Sequence, residues 1–153
     1  MKTDPEKSIA ERRRLLRPIV AAVTLLAGGR GALAVEAATQ PFAAQKRWFE
    51  AAAAMKRLAE SWGDQPYGAV LVAGDTLIGE GPSRVVKLGD PSAHAEREAI
   101  RDAQRRLGRT HLAGSVLYST SRPCRACELA AAQAQVSRMI YGEALNDAGP
   151  PRL

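Results

Sequence analysis

Between positions 42 and 61 the apolar residues Trp48, Phe49, Ala52, Met55 and Leu58 recur near the helical period among Ala, Lys, Arg, Glu and Gln, which predicts one amphipathic helix from Phe42 to Ser61. Gly63-Asp64-Gln65-Pro66 punctuates it. The pattern then changes: Gly68 to Ala73 and Thr76 to Ile78 are short apolar runs on either side of Gly74-Asp75, which predicts a β-hairpin. A loop rich in Gly, Pro and Ser runs on to Ser92. Ala93 to Leu107 contains neither Gly nor Pro and predicts a second helix, entered through Asp90-Pro91-Ser92, whose side chains suit a cap and whose proline suits a first turn. Val116-Leu117-Tyr118 centres a strand from Ser115 to Ser119, which Pro123 breaks. The alanine-rich segment Cys124 to Gln135 is a third helix and Arg138 to Tyr141 a last strand. Helix, hairpin, helix, strand, helix, strand, with no internal repeat or low-complexity linker, predicts one α/β domain with helices on a mixed sheet.

Residues 1–34 follow another pattern. A polar start leads to the basic cluster Arg12-Arg13-Arg14-Leu15-Leu16-Arg17, then an apolar run from Pro18 to Ala27, then Gly28, Gly29 and Arg30, and a small-residue end at Ala32-Leu33-Ala34. That is the layout of a secretory signal cleaved between Ala34 and Val35. Arg12 to Arg17 resemble the core of a twin-arginine export signal, with Glu11 standing where a Ser or Thr is expected. The expected division is an export signal over 1–34 and a domain over 35–153, placing the mature protein in the periplasm. The alternative is a short amphipathic helix or basic tail on a cytoplasmic protein, against which Gly28, Gly29 and Gly31 weigh. No uninterrupted apolar stretch reaches about eighteen residues, so no stable membrane anchor is expected.

The chain has 153 residues, 46% apolar and 25% charged, which suits a single soluble domain. Its formal charge of +6 is mostly local: residues 1–34 carry seven Lys or Arg against three acids, and the remainder carries fifteen against thirteen, a net of +2. That balance does not argue for a dedicated nucleic-acid surface. The two cysteines, Cys124 and Cys127, are too close in sequence to staple a disulfide framework, so their role is local.

The chemistry lies in His94-Ala95-Glu96 and Pro123-Cys124-Arg125-Ala126-Cys127. A His-x-Glu followed by Pro-Cys-x-x-Cys is the signature of zinc deaminases. Two thiolates and one imidazole suit Zn²⁺ and leave the fourth tetrahedral position for water, the catalytic rather than the structural arrangement. Cysteines three apart on one helical turn point the same way, and the positive helix start lowers their thiol pKa. Glu96 is placed to move protons without ligating the metal. A lone Cys-x-x-Cys also fits a thiol-disulfide protein, and His111 is the only other histidine. With no second cysteine pair, a four-ligand structural site would need a carboxylate.

The runs Pro66-Tyr67-Gly68-Ala69-Val70-Leu71-Val72, Gly79-Glu80-Gly81, Asp90-Pro91-Ser92-Ala93-His94-Ala95-Glu96 and Leu117-Tyr118-Ser119-Thr120 carry the likeness further. From about Phe49 to Gly142 the chain resembles the cytidine deaminase-like superfamily, in its guanine deaminase and tRNA adenosine deaminase branch. The resemblance implies a three-layer α/β/α sandwich, a homodimer, and zinc-dependent hydrolytic deamination of a small nucleobase or nucleoside, a purine such as guanine being favoured. It implies zinc held by His94, Cys124 and Cys127, proton transfer by Glu96, and substrate contacts at Tyr67, Ser83 and Ala95. Three departures mark the chain: Arg122 stands where a Glu normally precedes the proline, Ser83 stands where an Asn contacts substrate, and only eleven residues follow Gly142, where relatives continue into another strand and C-terminal helices. A non-catalytic zinc-binding protein of this fold is the alternative they leave open.

Overall fold

The computed structural model describes residues 42–153; the expected export segment at residues 1–34 lies outside the described residues. Helix α1 (Phe42–Ser61) forms where the apolar period predicts it, burying Trp48, Ala52 and Ala59 along one stripe while Leu58 stays largely exposed. Strands β1 (Gly68–Ala73) and β2 (Thr76–Pro82) form the predicted hairpin, turning at Gly74 with φ of 55°. The second strand runs four residues beyond its predicted end at Ile78. Its glycines Gly79 and Gly81 lack the apolar signal of a strand, and packing supplies what propensity does not.

A one-turn helix, α2 (Val85–Leu88), occupies the expected loop, closed by Gly89 in the left-handed region. Four residues are too few to show a period. Helix α3 (Ala95–Leu107) begins two residues later than predicted. The Asp90 carboxylate accepts hydrogen bonds from Ser92 N and Oγ, forming a local turn ahead of the helix, and His94 takes the N-cap position. Strand β3 (Ser115–Ser119) and strand β4 (Arg138–Tyr141) follow as read from the sequence. Helix α4 (Arg125–Gln133) between them starts one residue later and ends two residues earlier than predicted, with Cys124 as its N-cap and Gln135 already in the left-handed region at φ of 59°. A fifth strand, β5 (Asn146–Gly149), pairs antiparallel with β4; its Asn-Asp-Ala-Gly composition carries no strand signal. The chain thus contains a further strand beyond Gly142.

The sheet order is β2-β1-β3-β4-β5, with β3 and β4 parallel and the other neighbours antiparallel. Alternation along the central strands separates two cores. Val70, Val72, Val116, Tyr118 and Ile140 pack with Trp48 and Ala52 of α1 on one face. Ala69, Leu71, Leu117 and Met139 pack with Ala95, Ala99 and Ala103 of α3 and Ala131 of α4 on the other. The three-layer α/β/α sandwich is therefore present. Gly81 lets α3 lie against β2: a Cβ there would overlap the carbonyl oxygen of Ala95 and the amide of Ala99. That close approach sets the position of the helix start, where His94 and Glu96 lie. Among the described residues, no helix is long and apolar enough to cross a membrane.

Candidate metal centre and active site

The N-termini of α3 and α4 converge at the carboxyl end of β3, the central strand. His94 and Cys124 are the N-cap residues of these helices, both with extended backbone, and neither side chain makes a capping hydrogen bond. An N-cap side chain ordinarily turns back onto the helix amides; here both turn to a shared point. Cys127, one turn into α4 and fully buried, faces the same point.

His94 Nδ1 lies 3.6 Å from Cys124 Sγ and 3.4 Å from Cys127 Sγ, and the two sulfurs are 3.4 Å apart. A tetrahedral zinc with ordinary bond lengths places two sulfurs about 3.8 Å apart and a sulfur and a nitrogen about 3.6 Å apart. The donor atoms, all within 4.8 Å of one another, need move only a few tenths of an ångström to take up that geometry. Burial, then the charge of Glu96 and the nearby Cys124, push the Cys127 thiol well above its ordinary pKa. A divalent cation among the three donors reverses that tendency, because coordination deprotonates a thiol outright. The donor set fits zinc, and His94 distinguishes the cluster from a bare dithiol.

Glu96 sits in the first turn of α3, where a carboxylate is favoured by the helix dipole, and is buried. Its Oε2 is 3.4 Å from Cys127 Sγ, and its Oε1 accepts a hydrogen bond from Ser119 Oγ at 3.0 Å. The carboxylate therefore borders the metal position without being one of the three clustered donors.

A cleft of about 250 Å³ opens beside the cluster, lined by Tyr67, His94, Ala95, Glu96 and Cys124, with Gln65, Ser121 and Arg122 completing its rim. Tyr67 is half-exposed there, whereas Ala95 borders the cleft at the helix start but is almost fully buried, its side chain packed in the core beneath α3. Ser83 is not brought into the cleft. It is fully buried, its hydroxyl donates to Asp64 Oδ1 at 2.9 Å, and its amide donates to the Tyr67 carbonyl at 3.0 Å, so it supports the wall behind Tyr67. Arg122 is exposed at the rim, two residues before Cys124.

Two residues escaped the sequence reading. Asp64 is buried and accepts from Gln65 N, Ser83 Oγ and Lys87 N, tying the loop before β1 to α2. Burial works to raise its pKa, but these hydrogen bonds together outweigh it and hold the carboxyl below its ordinary value. The signal that points to Ser119 is a polar residue on the strand face shared with Leu117, the face that α3 and α4 cover.

The model of the family described as "Cytidine and deoxycytidylate deaminase zinc-binding region" matches residues 43–143. The chain is 34% identical over 100 residues to the tRNA-specific adenosine deaminase of Buchnera aphidicola subsp. Schizaphis graminum, covering 65% of this chain and 66% of that one. It is 39% identical over 83 residues to the guanine deaminase of Bacillus subtilis, covering 54% and 53%. Among solved structures, a tRNA:A34 deaminase superposes with a TM-score of 0.61 at 38% identity, covering 63% of this chain and 70% of the other. The chain thus spans no more than about two-thirds of the length of these curated relatives.

Proposed function

The chain belongs to the cytidine and deoxycytidylate deaminase zinc-binding family, and on that premise we propose that it is a hydrolytic deaminase of a free nucleobase or nucleoside, a purine such as guanine being favoured. One observation carries the reading: a histidine and two cysteine donors are gathered at two helix starts, with the Glu96 carboxylate beside them and a solvent-reaching cleft in front. When bound, zinc supplies a Lewis acid that brings the pKa of water to about 7.

Glu96 then does the proton work. Its Oε2, the oxygen not engaged by Ser119, accepts a proton from the attacking water and delivers it to the ring nitrogen next to the amine-bearing carbon. Oxygen bonds to that carbon, the second water proton passes through the same carboxylate to the amine, the carbon–nitrogen bond breaks, and ammonia leaves as the carbonyl forms. Tyr67 and Ala95 flank the ring, Tyr67 by offering an aromatic face. The burial of Glu96 supports this role by keeping competing water off the carboxylate.

A small substrate is favoured over folded RNA because, among the described residues, most surface arginines are already paired. Arg47 meets Asp75, Arg101 meets Glu98, Arg105 and Arg106 meet Asp102, and Arg138 meets Asp147, which leaves little basic track for a phosphate backbone. The test is ammonia release by the zinc-loaded protein from guanine, adenine, cytosine and their nucleosides, with an adenosine-bearing RNA stem-loop alongside. Release from a free purine base or nucleoside supports the reading; release from the stem-loop alone replaces it with RNA editing; release from none contradicts it. A homodimer and export through Arg12-Arg13 belong to the same proposal, the first being checked by light scattering.

A further inference from the structure

We infer that Ser119 is a positioning residue that fixes the orientation of the Glu96 carboxylate at the metal centre, an inference that rests on the proton-transfer role given to Glu96 above. Ser119 is 1% exposed, at the carboxyl end of the central strand. Its backbone is held from both sides: Ala69 of β1 and Tyr141 of β4 pair with it, and its carbonyl accepts from Gly142 N at 3.0 Å. Its side chain is held as well. The amide of Ser121 donates to Ser119 Oγ at 3.4 Å, which directs the hydroxyl proton away from that amide, and Oγ donates to Glu96 Oε1 at 3.0 Å.

A carboxylate on a three-bond side chain has a broad terminal torsion and does not choose an orientation by itself. Burial alone does not choose one either. With Oε1 anchored to a hydroxyl on the central strand of the sheet, the torsion is set and Oε2 is left facing the cysteine side of the cluster, 3.4 Å from Cys127 Sγ. The order of support is therefore Ser121 amide, Ser119 hydroxyl, Glu96 carboxylate. Ser119 is neither one of the three clustered donors nor a residue that lines the cleft, and it reaches the site through its hydrogen bond to Glu96, so its effect passes through that carboxylate. A misplacement of about 1 Å at a reacting group costs on the order of 10²-fold in rate.

The experiment compares Ser119→Ala and Ser119→Thr with the wild-type full chain by three readouts: zinc per chain, steady-state kinetics, and crystal structures. For Ser119→Ala we expect wild-type zinc content, a KM within about twofold of wild type, a kcat lower by about 10- to 100-fold, and a Glu96 carboxylate rotated from its wild-type plane. Ser119→Thr, which keeps the hydroxyl, restores both the plane and most of kcat. A Ser119→Ala structure with the Glu96 carboxylate unmoved overturns the inference, as does a fall in zinc content that accounts for the whole loss of activity. If the wild-type protein deaminates none of the compounds above, the proposed function fails, while the carboxylate orientation in the two variants still decides the role of Ser119.

Discussion

At the scale of single residues, the metal centre is the part of the protein most open to reading from sequence, because its chemistry restricts residue type as well as spacing. His94, Glu96, Cys124 and Cys127 were each legible, and folding brings the three donor atoms within 4.8 Å of one another. Cys127→Ala removes the one buried donor and leaves His94 and Cys124, too few for a protein zinc site. Stoichiometric zinc, measured by elemental analysis after dialysis, is expected to fall from one per chain to a small fraction. What the sequence could not show is how a neutral hydroxyl is used. Ser83 and Ser119 look alike along the chain, but Ser83 is spent on Asp64 and Ser119 on Glu96, a difference of tertiary placement.

Elements bring these residues together through close contacts that propensity does not announce. Gly81 reads from the sequence as a breaker in a strand, yet the structure uses it as a seat for α3, whose start carries His94 and Glu96. Gly81→Ala would drive a methyl into the Ala95 carbonyl and the Ala99 amide, both backbone atoms that cannot swing aside. A loss of about 3 kcal/mol is expected, seen as a fall in Tm of more than about 10 °C. Strand β5 and helix α2 were missed for a related reason: one is a polar edge strand and the other a single turn, and neither carries a hydrophobic period. Asp64 compensates for the weakness of that turn. Its carboxylate takes three donors, and Asp64→Asn sets an amide N–H against one of them, so at neutral pH a loss of about 2 kcal/mol is expected. Because the folded pKa is depressed, the contribution is fully present above the ordinary aspartate value and is lost as pH falls through the lower folded one. Thermal melts of the two proteins should therefore differ most at neutral pH, begin to approach one another as pH falls below about 4, and converge only past the lower folded value.

For the whole molecule, the order of elements predicts an α/β domain with helices on a mixed sheet, and the family resemblance implies the three layers. The continuous apolar runs of β1 and β3, buried toward α1 on one face and toward α3 and α4 on the other, are the physical reason both faces are covered. The position of the site followed less directly. It depends on β3 being the central strand and on two helices starting at its carboxyl end, a consequence of pairing order rather than of any local pattern. The charge distribution bears on where the protein works: seven of its basic residues fall in residues 1–34, Arg12-Arg13 among them. Fusing that segment to a reporter is expected to give export that Arg12→Lys with Arg13→Lys abolishes, and a reporter retained in the cytoplasm with either segment would remove the export proposal. The zinc-dependent deaminase reading itself is tested most directly by measuring bound zinc and ammonia release on the same preparations of wild-type protein and Glu96→Gln. The account predicts one zinc per chain in both and a rate lower by at least about 100-fold in the variant; no zinc in the wild type, or ammonia release indifferent to Glu96, would contradict it.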